Sequence, residues 1–283
     1  MPEPCRVSVI VPVRDALPWL DAQLEALAAQ DLGRPFEVVV ADNGSTDGTL
    51  ERLADWQRRF PGLRVLDASG RPGASGARNQ AARAARAGLL AFCDADDVVG
   101  PGWLAALVAG LERADVVAGS LDTASLNGRS PATAQLPATS ALGFLPAGLA
   151  CNLGVRREAF WSVGGFDEGL AVGEDVDLCW RLQLSGHRFG VASGAVVAKR
   201  ERAGALAQLR RGWQYGRADA LLCRRYRHLG ARPPWAEAAR SWLWLAANLP
   251  ALASPVARRS WAHGAGVRLG RLAGSARHRV LCP

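Results

Sequence analysis

The sequence lacks the long apolar run of a membrane-spanning helix, lacks paired cysteines, and lacks both common glycine-rich phosphate loops. About 18 consecutive apolar residues are needed to cross a bilayer, and the nearest stretch, Trp242 to Leu252, is interrupted by Asn248 and Pro250. Val7 to Val13 is apolar for only seven residues before Arg14 and Asp15, so neither a signal peptide nor a signal anchor is expected. Six cysteines (Cys5, Cys93, Cys151, Cys179, Cys223 and Cys282) show no CxxC pair and no zinc-like spacing. That points to reduced, packed thiols and a cytoplasmic chain, free or resting on the inner face of the cell membrane. The four histidines, His187, His228, His263 and His278, read as surface residues rather than metal ligands. With no GxGxxG after the second strand and no GxxxxGK[ST] anywhere, dinucleotide-binding and P-loop chemistry are disfavoured. No internal repeat is present.

What is there suffices for a large core: 283 residues, 49% of them hydrophobic. Charge is divided unevenly. Residues 1–198 hold 17 Lys and Arg against 23 Asp and Glu, whereas residues 199–283 hold 17 against 3. A mildly acidic body thus carries a strongly basic tail, a pattern suited to anionic partners. Strand signals at Val7 to Val13, Phe36 to Ala41, Leu63 to Asp67, Leu89 to Cys93 and Val116 to Gly119 alternate with helical ones. The helical segments are Leu17 to Gln30, Thr49 to Arg59, Ser75 to Ala87 and Pro101 to Leu111. After a Ser-, Thr- and Pro-rich stretch, Asp122 to Gly148, the pattern resumes with a strand at Asn152 to Arg156 and a short helix at Glu158 to Val163. A helix at Asp175 to Ser185 and a strand at Arg188 to Val197 follow. Such alternation predicts an α/β fold, a mostly parallel sheet flanked by helices, followed by a helical C-terminal extension.

Two carboxylate clusters carry the chemistry. Asp94-Ala95-Asp96-Asp97 directly follows a short apolar strand, and open α/β sheets bind ligands at the carboxyl ends of their strands. Residues two apart on an extended chain face the same way, so Asp94 and Asp96 can address one site. Hard divalent cations take one or two carboxylates plus substrate phosphates. Asp42 to Gly48 (DNGSTDG) forms a second turn at a strand end, read either as a nucleotide contact or as a helix-capping turn. Glu174-Asp175 precedes an amphipathic helix, as a catalytic pair or as simple charge complement to the helix N-terminus.

Five segments taken in order, VSVIVPVRD (Val7 to Asp15), EVVVADNGSTDGT (Glu37 to Thr49), GASGARNQA (Gly73 to Ala81), FCDADD (Phe92 to Asp97) and VGGFDEGLAVGEDVDLCWRL (Val163 to Leu182), resemble the successive motifs of family 2 glycosyltransferases of the GT-A fold. The resemblance covers about residues 6–200. It implies inverting transfer of a sugar from a nucleotide diphosphate donor, commonly UDP-linked, with Mg²⁺ or Mn²⁺. By position it puts Pro12, Val13, Arg14 and Asp15 beside the nucleotide base and Asp42 on the uridine. Gly76, Arg78 and Asn79 would line the nucleoside and diphosphate. Asp94 would face ribose and metal, Asp96 the metal, and Asp97 either the donor sugar or the next helix. One carboxylate of Glu174-Asp175 would be the catalytic base, with Asp175 preferred. Where many relatives carry a His, this sequence has Lys199 and Arg200, which are expected to neutralise the diphosphate and to weaken metal dependence.

The expected organisation is a catalytic domain at 1–200, with a nucleotide-binding half (1–120) and an acceptor half (121–200), then a basic Trp- and Arg-rich extension at 201–283. Asp122 to Gly148 reads as a surface loop or as a lid over the acceptor. Arg, Trp and Leu at helical spacing in the extension read either as peripheral membrane contact or as packing on the catalytic domain; no nucleic-acid recognition motif is present. The acceptor would be a hydroxyl on a glycan, a lipid-linked sugar or a small molecule, as in cell-envelope synthesis. Two other readings stay open: a sugar-nucleotide nucleotidyltransferase, disfavoured because Val11 to Asp15 is not a triphosphate loop, and a non-catalytic membrane- or nucleic-acid-binding protein, disfavoured by the intact acidic motifs.

Overall fold

The computed structural model describes residues 6–128, 142–201, 204–232 and 235–282. They fall into two compact units, one of residues 6–128 and 146–201, the other of 142–145 and 204–282.

The first unit is a mixed eight-stranded sheet with helices packed against it. β1 (Val7–Val13), β2 (Glu37–Asp42), β3 (Leu63–Asp67) and β4 (Leu89–Cys93) are all parallel, in the order β3-β2-β1-β4. Their connections are α1 (Leu17–Ala28), α2 (Thr49–Arg59) and α3 (Ala74–Ala84). β1 and β2 are buried along nearly their whole length, and a strand covered on both faces reads as a continuous Val-rich run. Leu20, Leu24 and Leu27 of α1 pack into the same core as Val9, Val11 and Val13.

The remaining elements are β5 (Val98–Val99), α4 (Trp103–Leu111), β6 (Val116–Asp122), β7 (Asn152–Arg156), α5 (Arg157–Ser162), α6 (Glu174–Leu184) and β8 (Phe189–Ala198), extending the sheet as β4-β7-β6-β8-β5. β7 is antiparallel to both neighbours, so it starts where β4 ends, with Asn152 opposite Cys93. Here the mostly parallel expectation is modified by local geometry. β6 runs three residues beyond the expected Gly119 because a bulge between Gly119 and Ser120 lets it continue beside β8. Asn152 fills that irregularity, donating from Nδ2 to the carbonyls of Ser120 and Ala195 and accepting from Trp103 Nε1, each at 2.8 Å. A Cβ at Gly119 would strike the Asn152 amide and the Ala195 carbonyl, so only glycine fits. α3 stops at Ala84 rather than Ala87 because Ala85 is already extended toward β4. Within 122–148, the segment expected as a surface loop or lid, Ser125–Asn127 is a single 3-10 turn preceded by Asp122, which accepts from the Ala124 amide at 2.8 Å, and residues 129–141 lie outside the described residues.

In the second unit α7 (Ala205–Tyr226), α8 (Trp235–Ala247) and α9 (Pro255–His278) are the long elements. Glycines set how closely α7 and α9 approach. A Cβ at Gly212 would strike the His263 carbonyl, one at Gly216 the Val267 carbonyl, and one at Gly270 the Trp213 carbonyl. Contacts advance together along both helices, so the two run parallel with their backbones touching. The buried Arg271 guanidinium donates from Nε to Asp219 at 2.8 Å within this pair. No helix among the described residues is long and apolar enough to cross a membrane. The five described cysteines are free and buried.

Beneath the parallel strands Glu37 is buried, taking hydrogen bonds from Ser8 Oγ and the Arg86 amide at 2.6 Å each and from Arg64 Nη1 at 2.8 Å. Burial pushes its carboxyl up, but these three donors together outweigh it and hold the group below its ordinary range. Stabilisation from Glu37 is therefore complete above the ordinary glutamate range and fades as pH falls through its depressed folded-state value. Glu37→Gln is expected to cost about 2 kcal/mol in urea denaturation at neutral pH, and the gap to wild type should close as the titration proceeds into acid.

Candidate active site

Parallel strands deliver their carboxyl ends to one edge of the sheet, and β1, β2 and β4 do so side by side: Val13 pairs with Asp42, and Ile10 with Phe92. At the β1 and β2 ends the chain ties two loops together. Asp15, in left-handed backbone at φ 50, donates its amide to Ser45 Oγ at 2.9 Å and accepts from the Thr46 amide at 2.8 Å. Asp47 accepts from the amides of Leu17 and Thr49 at 3.0 Å each, so the turn also fixes the starts of α1 and α2. Asp42 is buried, and its carboxylate accepts from the Gly44 and Ser45 amides and from Ser45 Oγ. Pro12 is half-buried and Arg14 exposed, while Val13 lies in the core and meets the turn only through its carbonyl, which takes the Asn43 amide at 2.8 Å.

At the β4 end, the buried Gln23 side chain of α1 holds both sides of the acidic turn. It donates to the Asp94 carbonyl at 2.8 Å and accepts from the Val99 amide at 3.0 Å. β5 then pairs with the end of β8, Val98 against Ala198, which delivers Lys199 and Arg200 to the same carboxylates. Lys199 Nζ donates to Asp97 Oδ2 at 3.0 Å and lies 3.9 Å from Asp94 Oδ2. The Arg200 amide donates to Asp97 at 2.8 Å, and its Nε to the Asp96 carbonyl at 3.0 Å. Lys199 is the only lysine in the sequence, against 33 arginines. Burial opposes its charge, but Cys151, Asp94 and Asp97 hold the ammonium above its ordinary range. Burial also pushes Asp97 up to about 6, against the pull of Lys199.

The second acidic pair arrives on α6. Gly173, in left-handed backbone at φ 81, turns the chain so that Glu174 and Asp175 open the helix. Arg78 of α3 joins the two clusters: Nη2 donates to Asp94 Oδ1 at 2.7 Å and Nη1 to Glu174 Oε1 at 2.9 Å. The guanidinium is buried, with its carbon 5.6 Å from the Phe166 ring centre. Burial alone would weaken its charge; the two carboxylates hold it above the ordinary range. Arg78 Nε is fully buried and has no hydrogen-bond partner among the described residues. Asp175 accepts from the Ala150 amide at 3.2 Å and the Val176 amide at 2.8 Å. Burial raises both carboxyls, Asp175 further elevating Glu174, while Arg78 pulls Glu174 back.

The residues singled out in the sequence therefore form two groups at one sheet edge, Arg14, Asp15 and Asp42 at β1 and β2, and Arg78, Asp94, Asp97, Glu174, Asp175, Lys199 and Arg200 at β4. Gly76 is buried with no room for a side chain beyond the Arg71 carbonyl, 3.1 Å from where a Cβ would stand. Asn79 uses both amide hydrogens and its oxygen on the turn before α6, donating to the Phe166 carbonyl and to Glu168 and accepting from the Phe166 amide, all at 2.9 Å. A metal could be offered Asp94, Asp97 and Cys151, whose ligand atoms lie within 4.8 Å of one another. Asp96, half-buried, is outside that trio. Gln23, Cys151 and Glu168 were not singled out by the sequence; a Gln within the apolar stripe of α1 is the one signal that pointed to a buried polar role.

The Glycosyl transferase family 2 model matches residues 8–164, more than half of the chain. Validoxylamine A glucosyltransferase of Streptomyces hygroscopicus subsp. limoneus is 31% identical over 238 residues, which is 69% of this chain and 52% of that protein. Pre-mycofactocin glycosyltransferase of Mycobacterium tuberculosis is 29% identical over 237 residues, covering 78% of this chain and 48% of that protein. The chain spans about half the length of these curated relatives. Among solved structures, the mannosyltransferase PcManGT of Pyrobaculum calidifontis, in complex with GDP-Man and Mn²⁺, has a TM-score of 0.68 at 20% identity, covering 96% of this chain and 89% of its own. S. aureus TarS 1-349 with UDP has a TM-score of 0.58 at 24% identity, covering 77% and 64%. Both share the fold, that of GT-A enzymes.

Removing Arg78 leaves two crowded carboxylates without their counter-charge. Arg78→Met is expected to cost about 3 kcal/mol or more in thermal or urea unfolding, and adding Asp94→Asn and Glu174→Gln to that variant should restore most of the loss.

Proposed function

Because the chain belongs to glycosyltransferase family 2, we propose that it transfers a sugar, with inversion, from a UDP-linked or similar nucleotide donor to an acceptor hydroxyl in cell-envelope glycan or glycolipid synthesis. The observation that carries this reading is Arg78 holding Asp94 and Glu174 on one guanidinium, since a donor diphosphate and an acceptor must meet between those two clusters. Residues 1–200 form the catalytic part and 201–283 the extension. The β1 and β2 loops receive the nucleoside: Pro12, Val13 through its backbone, Arg14 and Asp15 flank the nucleotide base, and Asp42 holds the turn and meets the uridine. Gly76 keeps α3 close to the diphosphate, and Asn79 steadies the loop leading to the base.

Inversion needs a base on the sugar face opposite the leaving group. Asp175 fits because, among the described residues, its hydrogen bonds come from the Ala150 and Val176 amides, whereas Glu174 is held by Arg78. Asp175 takes the proton from the acceptor hydroxyl, the oxygen bonds to the anomeric carbon, and the bond from that carbon to the diphosphate oxygen breaks with its electron pair leaving on the diphosphate. Arg78 and Lys199 stand where that negative charge develops.

A divalent ion suits the carboxylates here, since hard cations take one or two of them and fill the remaining positions with phosphate oxygens. Asp94 and Asp96 would hold Mg²⁺ or Mn²⁺, which when bound neutralises the diphosphate. Cys151 would stay out of that set, its thiol pushed up to about 12 by burial. Lys199 shares the same carboxylates and supplies part of the same charge.

Steady-state kinetics test the assignment. Asp175→Asn is expected to lower kcat by about 10² to 10⁴ with donor KM little changed; if Glu174→Gln is the more damaging change, the base is Glu174. Since burial raises Asp175, kcat/KM should climb with pH along a limb lying above the ordinary aspartate range, and that limb should vanish in Asp175→Asn. Lys199→Met should make donor affinity, measured by calorimetry, depend more steeply on Mn²⁺ concentration than in wild type; identical Mn²⁺ dependence would remove Lys199 from the diphosphate.

A further inference from the structure

α8 is apolar on two sides. Ala238 and Leu245 are buried against the rest of the second unit, with Ser241 between them on the same face. Trp235, Ala239, Trp242, Leu243 and Ala246 follow helical spacing on another face, and all five are exposed. Trp235 is 63% exposed and Leu243 69%, and Leu249 continues the row beyond the helix at 51%. Isolated exposed apolar side chains are ordinary, but Trp235, Trp242 and Leu243 share one helix face with two alanines, and such a cluster marks a surface built to be covered.

The charge around this row selects what covers it. Residues 204–282 carry 14 arginines and only two acidic residues, Asp219 and Glu237. Arg232 stands before the row, Arg240 beside it and Arg258 and Arg259 after it, all exposed. A second copy would bring the same positive charge to the contact, so self-association through this face is opposed. Single-stranded nucleic acid calls for cations interleaved with stacking rings, whereas here the cations flank a row that contains none. On another side of α8 from the row, a cavity of about 420 Å³ opens between α8 and α9, apolar at Trp244, Leu245 and Val267 and basic at Arg240 and Arg268, with Glu237 offsetting one of those charges. Tryptophans on a helix with arginines beside them match the boundary between phospholipid headgroups and acyl chains, where indole rings are enriched and basic side chains meet anionic headgroups.

We propose that the exposed face of α8 is a membrane-docking surface that lies in the headgroup layer of an anionic phospholipid bilayer, with Trp235, Trp242 and Leu243 entering the acyl boundary and Arg240, at the side of that face, meeting a lipid phosphate. This assignment stands apart from the transferase reading, and its test requires no turnover.

Flotation of the full chain with vesicles of phosphatidylcholine alone, or of phosphatidylcholine with one-third phosphatidylglycerol, decides it. The chain should rise with the anionic vesicles at low salt, remain behind with the neutral ones, and be partly released by high salt. Trp242→Ser combined with Leu243→Ser should cut the floated fraction roughly tenfold, while its circular dichroism and melting temperature stay those of wild type because both side chains are exposed. Retention of the wild-type chain in the bottom fraction with both vesicles would overturn the proposal, as would unchanged flotation of the double variant. Sedimentation showing a dimer that the double variant dissolves would assign the face to a second copy and equally overturn it.

Discussion

One guanidinium decides whether this site can exist. Asp94 and Glu174 come from elements far apart in sequence, and carboxylates brought together in a partly dry cleft raise one another's affinity for protons. Arg78, planar and forked, takes one oxygen from each. The fold serves that contact from several directions. α3 carries Arg78 beneath the sheet edge, Gln23 fixes the turn after β4, and Asn79, one residue along, fixes the turn that leads into α6. Glu168 extends this bracing, accepting from Asn79 at 2.9 Å and pairing with Arg71 at 3.1 Å. The loop ahead of the second acidic pair is thus anchored on the same helix that supplies the bridging charge.

Much of the first unit was legible in the sequence because its physics is local. Strands buried on both faces appear as unbroken Val and Leu runs, and the bounds of β1, β3, β4 and α2 follow from composition and turn residues alone. The reversal of β7 left no such mark: a five-residue strand, Asn152–Arg156, carries no sign of its direction, and only pairing between distant segments fixes the sense. In the site, the carboxylates were visible by type and position, but the agent that joins them was not. GASGARNQA shows one arginine among several on an Ala-rich helix, and nothing nearby reveals partners 16 and 96 residues away. At Val13 strand alternation shows within the motif: its side chain lies in the core between a half-buried Pro12 and an exposed Arg14.

The second unit follows a different rule. Its charge is conspicuous in the sequence, but the glycine spacing, 212 and 216 on α7 and 266, 270 and 274 on α9, determines its packing. Small residues four apart allow backbones to touch, a device most familiar from helices in lipid and used here by helices that carry many arginines. That close pair needs no large apolar side chains between its backbones. Trp235, Trp242 and Leu243 of α8 are left on the outside while Leu245 is buried, an arrangement that helical periodicity alone does not distinguish from a core-facing stripe.

The solitary lysine has a further consequence for how the molecule's charge is controlled. Apart from four histidines, every other basic side chain is a guanidinium, which acetyl and ubiquitin transfer to ε-amines do not touch. The one amine of that kind is held as an ammonium between carboxylates in a buried cleft. The positive charge of this chain is therefore beyond the reach of lysine acylation, and a modification that changes it would have to fall on other side chains, such as a phosphorylated Ser or Thr.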